Sequence, residues 1–242
     1  MQVRHERKAL PVTARPTLLL WFESNGPHRH RRVALPDSSL TDARRSLRAS
    51  LRARRRAIPA AERARAARQI ARHADYALNL RADQRIGIYA ATAEELDTSC
   101  LITLALRRGC RVYLPHIDRR SRVRAMRFVE ITDRTFAMAR AHRTNRFGII
   151  EPEGAALASA RLLDVVFLPL VGFDRQGIRL GMGGGYYDRA FGFRRLRTVW
   201  HAPLLVGIGY ASQEVESIAP AAHDVPLDLV ITERGVTRCA RS

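Results

Sequence analysis

Lysine is almost absent from this 242-residue chain. Lys8 is the only one, and every other cation among the 42 Lys and Arg residues is an arginine. Cysteine is scarce too. Cys100, Cys110 and Cys239 make an odd number, and no two stand in a C-x-x-C pair. That argues against a disulfide framework or a thiolate zinc site and fits a reducing cytoplasm. Long apolar runs are missing. Leu18–Phe22 and Val165–Val171 are far short of the ~20 residues that span a bilayer, and Pro169 interrupts the second. No internal repeat is visible, and the eight histidines form no H-E-x-x-H or H-x-x-E-H zinc pattern. What remains is 46% hydrophobic and 27% charged. Such a chain can bury a sizeable core, which excludes full disorder, collagen and a coiled coil.

Acidic residues are also few: 23 against 42 basic, a formal charge of +19. Residues 1–80 hold 18 basic and 6 acidic residues, so the N-terminal third supplies most of the excess. A basic surface suits an anionic partner, whether nucleotide, polyglutamate or nucleic acid. The arginines at 44–56 lack the interleaved aromatics that stack bases, so no specific nucleic-acid partner is expected. Residues 1–40 contain Pro11, Pro16, Pro27 and Pro36 and show no sustained period. They are a poor match to a secretory signal and read as a disordered basic extension or a mis-assigned start.

The ordered part is expected as a single domain over 41–236, with a tail at 237–242. Thr41 or Asp42 can cap a first helix reaching about Ala57, and Pro59 opens a second, to Tyr76. Short β-like runs follow at 85–89, 111–114, 123–131, 163–168, 205–209 and 229–232, with a helix at 98–108. Within 163–168, Val165–Leu168 is apolar without a break, the mark of a strand buried on both faces. Buried strands alternating with helices predict a three-layer α/β sandwich around a largely parallel sheet.

After that buried run comes Gly181-Met182-Gly183-Gly184-Gly185, then a helical Tyr186–Phe191. A glycine loop running into a helix at a strand's carboxyl end is a recipe for holding phosphate. The loop lacks the Gly-Lys-Ser/Thr ending of a Walker A motif and the usual dinucleotide fingerprint. Its flanks carry suitable chemistry. Arg179 can contact phosphate oxygens, Asp188 can hold a Mg²⁺ that bridges phosphates, and Tyr186 and Tyr187 offer flat faces to a ring.

The string Arg179-Leu180-Gly181-Met182-Gly183-Gly184-Gly185-Tyr186-Tyr187-Asp188-Arg189 resembles the signature of the 5-formyltetrahydrofolate cyclo-ligase family. Four further segments resemble that family in order: 43–48, Ile88-Tyr89 with 94–98, 147–152 and 223–228. The resemblance implies ATP-dependent closure of 5-formyltetrahydrofolate to 5,10-methenyltetrahydrofolate, with Mg²⁺, by a monomer in the cytoplasm. It implies that Arg44 and Arg48, four apart on one helix face, serve ATP together with the run from Arg179 to Tyr187, including Leu180. Asp188 and Asp224 would be metal ligands. Glu95 would hold the pterin ring, with Ala90, Phe147 and Tyr186 lining the folate pocket, and Arg179 and Tyr186 would act in catalysis. Two residues depart from the pattern: Gly184 stands where many members carry lysine, and Met182 where tyrosine or arginine is frequent. Apart from the resemblance, a basic nucleic-acid-binding protein and another ATP- or CoA-using α/β enzyme stay open.

Overall fold

The structure, a computed structural model, describes residues 37–117, 126–136, 157–196 and 202–240. In chain order these form α1 (Asp37–Arg56), α2 (Ala60–Leu78), β1 (Arg85–Gly87), α3 (Ser99–Arg107), β2 (Arg111–Ile117), β3 (Met126–Ile131), β4 (Leu157–Ala158), β5 (Val165–Pro169), β6 (Gly172–Phe173), β7 (Arg179–Leu180), α4 (Tyr186–Phe191), β8 (Leu204–Ile208), β9 (Leu229–Thr232) and β10 (Gly235–Arg238). The main sheet runs β10-β9-β8-β5-β1-β2-β3-β4. Its inner strands, from β9 to β2, pair in parallel. The outer strands β10, β3 and β4 pair antiparallel. β6 and β7 form a separate hairpin.

Strand β5 explains the layering. Successive side chains of a strand point to opposite faces, and every one of Val165–Leu168 is apolar and buried. Val165 and Phe167 join Ile86, Val112, Val206 and Ile231 under α2 and α3. Val166 and Leu168 join Leu205 and Val230 on the other face, under Phe191 of α4. Each fully buried Val, Leu, Ile or Phe contributes roughly 1.5–3 kcal/mol. On α2 the sheet-facing stripe is Ala66, Ala67, Ile70, Ala71 and Ala74, small residues at helical spacing. The three-layer α/β sandwich is therefore present as expected.

A third cluster fixes α1. Leu51 packs with Val171, Leu180 and Ile218. Gly172 makes that approach possible, because a Cβ there would lie 2.4 Å from Leu51 Cδ1. The β6–β7 turn is held by the buried carboxylate of Asp174. Its Oδ1 accepts from Gln176 N (3.1 Å) and Ile178 N (2.9 Å), and its Oδ2 accepts from Ile218 N (2.9 Å). This turn aims β7 at the glycine loop.

A buried ion pair closes the other side. Arg194 donates to both carboxylate oxygens of Asp228, at 2.9–3.0 Å, with each side chain 6% exposed. Asp228 Oδ2 also accepts from Leu205 N at 2.7 Å, and Arg194 Nη1 donates to the Pro203 carbonyl.

Some expected boundaries move. α1 begins at Asp37, so Thr41 and Asp42 sit inside the helix instead of capping it, and Asp42 accepts from Arg45 one turn on. β1 ends at Gly87, two residues earlier than expected. Thr237 and Arg238, assigned to a tail, are the end of β10, which pairs with β9. Residues 1–36 of the expected extension lie outside the described residues.

Candidate active site

The chain leaves β7 at Leu180, whose fully buried side chain packs in the α1 cluster. Only its backbone is left to face a ligand. Gly183 (φ +97°) and Gly185 (φ +62°) adopt left-handed backbone that side chains disfavour. Around Gly181 and Gly183 nothing lies within 4 Å of where a Cβ would stand. The loop backbone is thus open to close approach. α4 spans six residues, so its dipole is small, and the loop N–H groups are the main donors that could meet an anion here. At Gly184 a Cβ would lie 2.8 Å from the Tyr186 ring. Arg189 covers the same ring at 5.0 Å and donates to the Gly184 carbonyl at 2.9 Å. Met182 is exposed at the loop's tip.

Helix α1 brings its arginines to this loop. Arg48 Nε donates to the Gly181 carbonyl at 2.9 Å, and Arg44 Nη2 donates to Asp224 Oδ2 at 2.9 Å. Burial, then the neighbouring Arg44 charge, lowers the Arg48 pKa from its ordinary value. An added anion would offset the Arg44 repulsion by favouring the charged guanidinium.

Arg179, expected to contact phosphate oxygens, is buried against Asp188 and the 221–225 turn. It is 6% exposed, donates from Nη2 to Asp188 Oδ1 at 2.6 Å, and donates from Nη1 to the Val225 carbonyl. Asp188 Oδ1 also accepts from Val225 N at 3.2 Å. Asp224 Oδ2 accepts from Ala221 N at 2.8 Å. Both expected metal-binding carboxylates therefore meet the 221–225 turn, and each carries one arginine. Among the described residues, Asp188 Oδ2 has no hydrogen-bond partner, and His223 Nε2 stands 3.9 Å from Asp224 Oδ1. No group of three or more His, Cys, Asp or Glu placed to hold a metal ion is present among them. Two carboxylates fit Mg²⁺ when phosphates and water complete its shell, which is its usual manner of binding.

The loop after β1 carries Glu95. Its Oε2 accepts from Thr92 N (2.9 Å) and Thr92 Oγ1 (3.1 Å). Ala90 is buried in the core cluster that also holds Tyr89 and Leu96, and Thr98 Oγ1 donates to the Tyr89 carbonyl at 2.8 Å. Glu95 also reaches the glycine loop electrostatically. The Tyr187 hydroxyl is raised well above its ordinary pKa, first by burial and then by the Glu95 charge. Tyr187 stacks on Phe191, centroids 6.4 Å apart. The structure thus gathers Arg44, Arg48, Arg179, Gly181–Asp188 and Asp224, and brings Glu95 within electrostatic reach of Tyr187. Phe147 lies outside the described residues.

Sequence reasoning overlooked a second arginine set on the same helix. Arg52 donates to Glu94 Oε2 at 2.8 Å, while Arg55 and Arg56 lie 3.6 Å from the Glu94 carboxylate. The Arg52 hydrogen bond holds the Glu94 pKa below the ordinary carboxylate range. From α2, Arg63 donates to the carbonyls of Ala93 (2.6 Å) and Glu95 (3.2 Å). The signal was available, because positions 44, 48, 52 and 56 continue the four-residue spacing that marks one helix face.

A profile of the 5-formyltetrahydrofolate cyclo-ligase family matches residues 40–233. The chain is similar to the 5-formyltetrahydrofolate cyclo-ligase of Haemophilus influenzae, with 31% identity covering 77% of this chain and 96% of the relative. It is similar to that of Escherichia coli K12, with 35% identity covering 61% and 76%. Its fold is similar to the solved 5,10-methenyltetrahydrofolate synthetase of Aquifex aeolicus, with a TM-score of 0.65 and 25% identity covering 82% and 95%. With the family profile spanning most of its length, this chain belongs to the 5-formyltetrahydrofolate cyclo-ligase family.

Proposed function

We propose that this protein converts 5-formyltetrahydrofolate and ATP to 5,10-methenyltetrahydrofolate, ADP and phosphate. One observation carries the reading: α1 brings arginines to both an open glycine loop and the loop bearing Glu95. A phosphoryl donor and a flat, N–H-rich ring would then meet across one helix. In the reaction the formyl oxygen attacks the γ-phosphorus, and ADP leaves with the electrons of the broken P–O bond. The N10 lone pair adds to the activated formyl carbon and N10 releases its proton. The carbon–oxygen bond then breaks, and phosphate departs with that electron pair. Positioning and charge stabilisation do most of such work.

In this reading the loop backbone from Gly181 to Gly185, with Arg44 and Arg48, holds the triphosphate. Arg179 is a positioning residue that fixes Asp188 through its 2.6 Å contact. Asp188 and Asp224 would hold Mg²⁺, which when bound would offset phosphate charge. Glu95 accepts hydrogen bonds from the pterin, and Tyr186 and Tyr187 flank the ring. Among the described residues no helix is long and apolar enough to cross a membrane, and the free thiols support a cytoplasmic setting. The direct test is the near-UV absorbance of methenyltetrahydrofolate formed from 5-formyltetrahydrofolate with and without ATP. Folded protein that shows no ATP-dependent turnover would sink the reading.

Glu95→Ala separates the two substrates. It removes a charged acceptor, worth about 1.5–3 kcal/mol in such hydrogen bonds. The folate KM is expected to rise about tenfold or more, with the ATP KM changed far less. Steady-state kinetics with each substrate varied in turn check this, and equal effects on both count against the assignment.

We also propose that residues 1–36 are dispensable, since the family match begins at residue 40. Deleting them is expected to leave the melting temperature and turnover nearly unchanged. Deleting residues 1–50 removes Arg44 and Arg48 and is expected to weaken ATP binding at least about tenfold, at ~1.5–3 kcal/mol per charged hydrogen bond lost. Calorimetric titration with ATP reads both.

A further inference from the structure

Arg55 is a buried arginine whose donors are left over. Its side chain is 3% exposed, and neither Nε nor Nη2 has a hydrogen-bond partner among the described residues. Glu94 Oε2 stands 3.6 Å from Nη2, beyond hydrogen-bond range, and Arg52 already holds that oxygen at 2.8 Å. Buried donors are normally satisfied, so an orphan needs an explanation. A second orphan is the hydroxyl of Tyr210, a residue 2% exposed. Tyr210 opens the 211–213 turn, against which α1 packs.

Positions 44, 48, 51 and 55 share one face of α1. The face that takes Arg44 to Asp224 and Arg48 to the glycine loop thus carries Arg55 toward the loop of Glu94 and Glu95, two turns beyond Arg48. Burial lowers the Arg55 pKa from its ordinary value, and the Glu95 charge opposes it. The Tyr89 hydroxyl, pushed well up first by burial, responds next to Glu95, Tyr187 and Tyr210, with Arg55 acting the other way. Tyr89 follows β1 and Tyr210 follows β8, the two parallel neighbours of β5. These groups therefore gather at the carboxyl ends of adjacent strands, where open α/β sheets take ligands.

Thr92 occupies Glu95 Oε2, while Oε1 has no hydrogen-bond partner among the described residues. A carboxylate only accepts and a guanidinium only donates. Together they complement a ring edge that sets N–H groups beside a carbonyl. The pyrimidinone ring of a pterin has such an edge: its amino group and N3–H donate, and the C4 carbonyl next to N3 accepts. We propose that Arg55 donates to the C4 carbonyl of the pterin ring, beside the N–H groups taken by Glu95, and so selects a 4-oxo over a 4-amino ring. This rests on the reaction proposed above. The carbonyl supplies the acceptor that the buried guanidinium lacks. A 4-amino group in its place sets donor against donor.

Arg55→Met keeps the length of the side chain and removes its charge and donors, and Glu94 retains Arg52. The KM for 5-formyltetrahydrofolate is expected to rise about tenfold to a hundredfold, the worth of one charged hydrogen bond, with the ATP KM changed less than about twofold. The second readout is competitive inhibition by the 4-amino analogue of that substrate. The preference for the 4-oxo ring over this analogue is expected to shrink about tenfold in Arg55→Met. The melting temperature is expected to hold or rise, because an unsatisfied buried group is gone. A variant that keeps the wild-type folate KM, or the wild-type preference, overturns the assignment. A melting temperature lower by more than about 5 °C with the folate KM unchanged also overturns it, and makes Arg55 an ion-pair partner of Glu94 only. Arg55→Lys keeps the charge without the fork and is the milder variant, expected to raise the folate KM about threefold; if Arg55→Met does not fold, an unchanged folate KM in Arg55→Lys is the overturning result. In each of these cases cyclisation by the wild-type protein still stands. Absence of any cyclisation by the wild-type protein defeats the reaction itself, and the role of Arg55 with it.

Discussion

Asp188→Asn is expected to lower turnover roughly 10²–10³-fold, the usual cost of removing one group that stabilises a phosphoryl or oxyanion charge. The substitution keeps the size of the side chain and removes its charge. Two effects then combine. A hard anionic oxygen is lost as a Mg²⁺ ligand, and the buried Arg179 guanidinium loses the charge it meets at 2.6 Å. Arg179 keeps the Val225 carbonyl, so the loop is expected to stay assembled while the protein melts somewhat lower. Turnover measured across a Mg²⁺ titration, well below the melting temperature, separates the two. Full activity at every Mg²⁺ concentration removes Asp188 from the metal site.

Asp228→Ala tests the fold, with the largest stability effect expected. Asp228 and Arg194 are each 6% exposed. Removing one partner of a buried ion pair leaves an uncompensated charge and costs about 3–5 kcal/mol. Leu205 N would also lose its 2.7 Å acceptor at the start of β8. Against a total stability of ~5–15 kcal/mol, the melting temperature should fall by roughly 6–20 °C, at about 2–4 °C per kcal/mol for a chain of this size. The double replacement Arg194→Met with Asp228→Leu should recover a large part, because a well-packed apolar pair can match a buried ionic one. A shift under about 2 °C for Asp228→Ala means the pair is not structural.

Local signals of this kind decide what a sequence reveals. The apolar run at 165–168 announced β5 and its burial on both faces, because strand alternation needs only neighbouring residues. The glycine loop and Asp188 were legible for the same reason. Arg44 and Arg48 were legible through helical spacing. The partners of these residues were not. Arg179 has the charge to meet a phosphate, but whether it faces solvent or Asp188 is settled by the 221–225 turn, far along the chain. Arg194 and Asp228 are 34 residues apart, with no pattern between them that marks a pair. The β6–β7 hairpin has two-residue strands, too short for any period to register. No local pattern singles out Glu94, and only the arrival of α1 makes it a partner of Arg52.

The attachment of α1 has a consequence for the order of events during synthesis. The helix leaves the ribosome before every other element described, yet Arg48 bonds a residue 133 positions later and Arg44 one 180 positions later. At translation rates of ~5–20 residues per second, the second partner arrives roughly 10–40 s after the helix. Loop closure over such spans is entropically costly and slow compared with local pairing. Arg44 and Arg48 therefore wait without their partners while the rest of the chain is made, and α1 docks as a late step. A nascent chain arrested before residue 224 should leave α1 open to protease at its arginines, and release of the full chain should close it.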